Sequence, residues 1–172
     1  MPSYKYNYFD LRGRGETCRL CFIATGVPFE DHRINYAAWP GDYKAATPFG
    51  QLPYLEIDGK KFAQSGAIAS YISREHVVFN NITCYSKFWF KKLSVCKFML
   101  HNLKNGISFP LNILFIFQLT LADLSVYDVL ENSYRDYPSV YSSYPKVLEN
   151  RKKIAAQPRI AAYLSKRNVT AI

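Results

Sequence analysis

Leu52-Pro53-Tyr54-Leu55-Glu56-Ile57-Asp58-Gly59 decides the fold. The alternation after the proline reads as a short strand, and Asp58-Gly59 is a two-residue hairpin signal of the kind that needs positive φ. Lys61-Phe62-Ala63 is expected to pair back, and Ser65 to act as the N-cap of a helix over 67–74. Upstream, residues 3–9 alternate as a strand, Arg12-Gly13-Arg14-Gly15 punctuates it, and 16–25 carries Leu20, Ile23 and Ala24 at helical spacing before Gly26 and Pro28 stop the helix. A second strand is expected over 29–34. Strand, helix and strand within about thirty residues form a βαβ unit with parallel strands. The order over residues 1–76 is therefore βαβ followed by ββα.

Downstream the pattern breaks. Residues 77–119 are crowded with Phe, Asn, Lys, Ile and Leu, show no sustained period of 2 or 3.6, and place Pro110 within their most apolar stretch. A membrane span over 107–121 is disfavoured by Pro110, Asn112 and Gln118 and by its short length. Order resumes at Thr120-Leu-Ala-Asp123, a capping box expected to open a helix over 121–131. Further helices are expected over 145–155 and 158–166, followed by a basic tail.

At 172 residues the chain is long enough to bury a core without staples. Its four cysteines, Cys18, Cys21, Cys84 and Cys96, are sparse, and no apolar leader opens the sequence, which together imply a cytoplasmic protein with reduced thiols. The formal net charge of +9 raises the question of nucleic acid. Much of the excess comes from five lysines between His76 and Ala122, a segment without one acidic residue. Those lysines sit among large apolar residues rather than on a solvated face, so neither a nucleic-acid partner nor a membrane is expected. His32, His76 and His101 have no ligand spacing, so no metal is expected.

The βαβ-ββα order with a proline at the head of its third strand resembles the α/β thioredoxin-like arrangement, in which that proline is cis. The alternative is a trans proline on an edge strand. Tyr8-Phe9, Arg12-Gly13-Arg14-Gly15-Glu16, Trp39-Pro40, Pro48-Phe49-Gly50-Gln51-Leu52-Pro53 and Gln64-Ser65-Gly66-Ala67-Ile68 together closely resemble the sigma class of glutathione transferases, which includes the glutathione-dependent prostaglandin D synthases. The likeness runs from Met1 to Glu75 and returns from Leu119 onward.

The resemblance implies glutathione as co-substrate and assigns roles that chemistry can check. A free thiol has a pKa of about 8.5, so a transferase must favour the thiolate. Tyr8 is the expected hydrogen-bond donor to sulfur, with Arg14 as the nearby cation. Lowering the thiol pKa by about two units takes roughly 2.7 kcal/mol, within reach of one charge-assisted hydrogen bond and a cation. Ser65 and its helix amides would bind the γ-glutamyl carboxylate beside Gln64, with Gln51 assisting. Leu52, ahead of Pro53, would pair its backbone with the cysteinyl unit, Trp39 and Lys44 would take the glycyl carboxylate, and Phe9 would line the entrance. Each has a plainer reading: Tyr8 as core, Arg14 and Lys44 as solvated cations, Trp39 as packing. Cys18-Arg-Leu-Cys21 has redox spacing, but it lies too far into its helix for that chemistry and is read as buried small apolar residues.

In the family an all-α C-terminal domain follows, whose first helices shape the acceptor pocket and much of a homodimer interface. Here 77–118 stands in that place, shorter and unlike those helices, and 119–172 reads as the remnant of the domain. The Phe/Lys/Asn/Ile bias of 77–118 and its sharp edges suggest the translation of an AT-rich intron. The expected function is glutathione transfer to a small hydrophobic electrophile, with prostaglandin isomerisation as another use of the same site. A glutathione-binding protein without turnover and an inactive relic are the alternatives.

Overall fold

The structure is a computed structural model, and it describes residues 1–39, 42–76, 119–168 and 170. The expectations for 77–118 lie outside the described residues. Four strands, β1 (Tyr4–Phe9), β2 (Glu30–Ile34), β3 (Tyr54–Ile57) and β4 (Lys60–Ala63), form one sheet in the order β2-β1-β3-β4. β1 and β2 are parallel, with Lys5 opposite Glu30 and Phe9 opposite Ile34. β3 runs antiparallel to β1, and β4 antiparallel to β3. Asp58 and Gly59 take φ of 48° and 82°, the double positive φ that a two-residue hairpin turn demands. The Leu52–Pro53 bond is cis, as the thioredoxin-like arrangement implies.

β1 is central, so side chains on both its faces are buried. Tyr4, Tyr6 and Tyr8 share one face by the period of two, and the Phe22 ring of helix α1 (Glu16–Thr25) packs at a tilt against them, its centre 5.7 Å from that of Tyr4 and 6.1 Å from that of Tyr6. On the other face Asn7, fully buried, meets His32 Nδ1 at 2.7 Å and donates to the Lys5 carbonyl. Helix α1 ends at Gly26, whose φ of 72° lets its amide reach back to the Phe22 and Ile23 carbonyls. Every residue from Glu16 to Phe22 is buried. Such burial all round arises because α1 lies between α3 (Ser65–Glu75) on one side and the C-terminal helices on the other. Cys18 and Cys21 are accordingly inaccessible, and burial raises the Cys21 thiol far above its ordinary range.

Three of the C-terminal helices, α4 (Leu121–Asp136), α6 (Pro145–Ala155) and α7 (Pro158–Leu164), join the N-terminal core through Leu121, Leu124, Tyr127, Ile154 and Ile160. The capping box forms as expected: Thr120 Oγ1 accepts from the Asp123 amide at 3.2 Å, and the Thr120 amide donates to the Asp123 carboxylate at 2.8 Å. Asn150 Nδ2 adds a 3.0 Å bond to that buried carboxylate, pinning α6 on α4. Thr120→Ala should therefore cost about 1–2 kcal/mol of stability, read from a urea midpoint.

Several boundaries differ from the sequence reading. Ser65 is not the N-cap of α3; Gln64 takes that position with φ 76° and ψ 111°, and Ser65 is already helical. α4 continues past Glu131 to Asp136, α7 stops at Leu164, and β2 starts at Glu30. Two short helices, α2 (Asp42–Ala46) and α5 (Pro138–Tyr141), were not foreseen, because one turn is too short to show a period. No helix among the described residues is long and apolar enough to cross a membrane.

Candidate functional site

The sheet register gathers the candidate residues. Asn7 of β1 stands opposite Tyr54 of β3, which stands opposite Ala63 of β4. One step beyond this row lie Tyr8 on β1, Pro53 ahead of β3 and Gln64 after β4. Because β2 is parallel to β1, the segment leading to Trp39 leaves the sheet at the same end. Strand pairing therefore brings together one end of the sheet from stretches more than fifty residues apart in the sequence.

Tyr8 is 5% exposed, and its hydroxyl accepts a hydrogen bond from the Arg14 amide at 3.0 Å. A hydroxyl that accepts from the backbone keeps its own hydrogen to donate elsewhere. Burial raises the Tyr8 pKa, and the Arg14 amide and charge oppose that rise without reversing it. Tyr8 thus stays protonated at neutral pH, as a hydrogen-bond donor must. The amide comes from the 3-10 turn Gly13–Gly15, which lies directly on the ring: a Cβ at Gly15 would sit 2.2 Å from Tyr8 Cδ1, and one at Gly13 would sit 2.7 Å from the hydroxyl. The Arg14 side chain is exposed, and the Arg19 guanidinium lies 5.6 Å from the Tyr8 ring centre.

An aromatic wall stands beside Tyr8. The Phe9 ring is 5.5 Å from Tyr8, 5.1 Å from Tyr36 and 5.4 Å from Trp39, the last edge-on. The sequence reading missed Tyr36, which is 71% exposed and carries no motif of its own. Trp39 is half-buried by this packing, so the plain reading of it holds at least in part. Lys44, exposed on α2, lies alongside Gly50, whose added Cβ would meet its chain at 3.7 Å, and this places it next to the turn that delivers Gln51.

Gln51 is exposed, while Leu52 and Pro53 are buried side chains ahead of β3. No hydrogen bond to the Leu52 amide or carbonyl occurs among the described residues. Gln64 is exposed in a left-handed conformation that a non-glycine residue adopts only when its surroundings hold it there. It starts α3 with the Ser65 amide in the first helical turn, among donors that lack intrahelical acceptors. Beneath them the Cys18 thiol donates to the Ser65 carbonyl at 3.2 Å. Sequence reasoning gave Cys18 only a packing role.

The sequence also hid a buried ionic layer behind the site. Glu16, 1% exposed, receives the Tyr163 hydroxyl at 3.1 Å and the Arg167 guanidinium at 2.6 Å, while Arg19 reaches Asp31 at 3.0 Å and the Phe9 and Leu11 carbonyls at 2.9 and 2.7 Å. No group of side chains among the described residues has the makings of a metal site.

The sequence model of the glutathione S-transferase N-terminal domain matches residues 4–74, and that of the C-terminal domain matches 112–167. The chain is 34% identical to hematopoietic prostaglandin D synthase of Gallus gallus over 201 aligned positions that cover 100% of both proteins. Those 201 positions exceed the 172 residues here, so the relative has residues that this chain lacks. Glutathione S-transferase 1 of Ascaris suum is 55% identical over 75 residues, 44% of this chain and 36% of that protein. Among solved structures, a glutathione S-transferase specific to the nematode C. elegans superposes with a TM-score of 0.73 at 30% identity, covering 100% of each chain.

Proposed function

We propose, from the premise that this chain belongs to the glutathione S-transferase family, that it binds glutathione at the gathered end of the sheet and transfers the thiolate to a small hydrophobic electrophile. The observation that carries this reading is the Tyr8 hydroxyl, which accepts from the Arg14 amide and so has its proton free for a sulfur. The sigma-class likeness agrees with the prostaglandin D synthase match. Glutathione is the family's co-substrate. Tyr8 would hold the thiolate, Arg14 would add its charge, and Ser65 with the α3 amides and Gln64 would bind the γ-glutamyl carboxylate. Leu52 would pair with the cysteinyl backbone, and Trp39 and Lys44 would meet the glycyl carboxylate. The same thiolate, offered an endoperoxide, would support prostaglandin isomerisation.

The test is turnover of a chromogenic electrophile by protein retained on immobilised glutathione. Retention without turnover of any electrophile tried would instead favour a binding protein. Binding should also release protons. A bound thiol with a pKa below the free value of about 8.5 gives affinity that rises with pH from the bound pKa up to 8.5 and is flat above it. Between those two values each glutathione bound should release close to one proton, read by calorimetry in two buffers of different ionisation heat. Equal heats in both buffers would mean that the thiol stays protonated.

The boundaries 1–76, 77–118 and 119–172 stand as part of the proposal, with 77–118 as intron-derived sequence. The residue bias of the segment supports that origin. Continuous mature message through the segment would overturn it. A cytoplasmic homodimer is the family expectation, to be checked by mass measurement in solution.

A further inference from the structure

The turn that brings the Arg14 amide to Tyr8 is tied to α4 by Arg12. Arginine is among the residues least often buried, yet Arg12 is 5% exposed. Its Nη1 donates to Asn132 Oδ1 at 2.6 Å and its Nη2 to the Asp128 carbonyl at 3.2 Å. Nη2 also lies 3.3 Å from the Glu131 carboxylate and 3.7 Å from that of Asp128. All three partners belong to α4. The Arg12 main chain points the other way: its carbonyl accepts the Gly15 amide at 3.0 Å and the Glu16 amide at 2.9 Å, which closes the Gly13–Gly15 turn. Between those two anchors sits the Arg14 amide, 3.0 Å from the Tyr8 hydroxyl.

Two details argue that this is more than packing. The Arg12 Nε is buried with no hydrogen-bond partner among the described residues, so the geometry serves the fork that grips α4 and does not satisfy the whole guanidinium. The turn also has almost no freedom against Tyr8, because Gly13 and Gly15 touch the ring and hydroxyl with no room for a Cβ. A small slide of the turn along α4 would move the Arg14 amide off the hydroxyl oxygen, and hydrogen bonds weaken steeply with such misalignment.

We propose that Arg12 is a positioning residue for thiol activation: its clamp on Asp128, Glu131 and Asn132 fixes the Arg14 amide on Tyr8, and this aims the Tyr8 hydrogen at the glutathione sulfur. The inference rests on the reading of Tyr8 as donor to that sulfur. It makes the C-terminal helices part of the chemistry of the N-terminal site, although none of these three α4 residues is assigned to touch glutathione. A hydroxyl that accepts a well-aligned bond is also a stronger donor, so the effect should appear in thiol ionisation.

The test compares the full-length protein with Arg12→Lys and with the double variant Arg12→Met/Glu131→Met, in which an apolar pair replaces the Arg12–Glu131 ion pair while Asp128 keeps the Thr17 hydroxyl and Arg167 keeps Glu16. Thiolate absorbance of bound glutathione is titrated in each, and kcat/KM is followed against pH. The double variant should bind glutathione but raise the bound-thiol pKa by about half a unit or more, a loss of about threefold in kcat/KM at low pH that vanishes where the thiol is ionised anyway. Arg12→Lys, with a charge but no fork, should fall in between. A folded double variant with the wild-type thiol pKa overturns the inference. If that variant does not fold, Asn132→Ala removes the 2.6 Å contact without stranding a charge, and an unshifted pH profile there overturns it equally. A wild-type protein that leaves the bound thiol at its free pKa refutes the Tyr8 reading itself, and that result is visible before any variant is made.

Discussion

Tyr8→Phe should lower kcat/KM by about one to two orders of magnitude at neutral pH and leave retention on immobilised glutathione nearly intact. The size follows from what is removed: one hydrogen bond to a charged sulfur, worth about 1.5–3 kcal/mol. Retention survives because the proposed carboxylate contacts, Ser65 with the α3 amides and Lys44, lie on other elements. The fold should survive too. The ring of Phe fills the same space under Gly15, and the loss is confined to the Arg14 amide, which is left without its acceptor. That amide belongs to an exposed residue, so water can replace the hydroxyl at a cost of about 1 kcal/mol. The pH profile separates this from a stability defect: the deficit of the variant should shrink as pH rises through about 8.5, where free thiol ionises unaided. A deficit independent of pH would mean that Tyr8 acts otherwise than by favouring the thiolate.

The regular elements at both ends of the chain were legible because their signals are local. Asp58-Gly59 needs only its own backbone to turn, Thr120 and Asp123 cap each other across three residues, and Pro145 opens a helix that stops where its apolar spacing stops. The candidate site was legible for a different reason, since its residues form a family pattern although they lie far apart in sequence. What stayed hidden is what has no local sign. Arg12 meets Asp128 across 116 residues, and Tyr163 meets Glu16 across 147. In sequence, Arg12 looks like a solvated cation in a glycine-rich turn, and Glu16, Asp128 and Tyr163 look like polar positions on helices. Ser65 shows the limit at finer scale: serine at the head of a helix suggested a side-chain cap, yet the left-handed Gln64 takes the cap and leaves the Ser65 amide and hydroxyl for another use. Tyr36 is hidden by number, one of fourteen tyrosines with nothing nearby to single it out.

Gly15→Ala should be damaging out of proportion to the one methyl group it adds. Gly15 has φ −86° and ψ −23°, an ordinary helical conformation that any residue adopts, so backbone freedom does not explain why glycine is needed. Space does. Its added Cβ would lie 2.2, 2.7 and 2.8 Å from three ring carbons of Tyr8, well inside contact distance, and the obstacle is a buried ring. Tyr8 cannot swing away easily, since Phe9, the Arg19 guanidinium and the turn itself surround it. Overpacking of this kind costs about 1–3 kcal/mol, and one methyl group is enough because well-packed interiors have little slack. Relief by moving the turn breaks the bond from the Arg14 amide, and relief by moving the ring carries the hydroxyl away from the sulfur. Activity should therefore fall at least as far as in Tyr8→Phe, together with a lower urea midpoint. The double variant Tyr8→Phe/Gly15→Ala decides whether both changes act through one hydroxyl. If they do, its kcat/KM falls little below that of Tyr8→Phe alone, because the second change removes an interaction already lost. Fully additive losses, or a Gly15→Ala protein with wild-type activity and stability, would mean that the turn does not set the position of the hydroxyl.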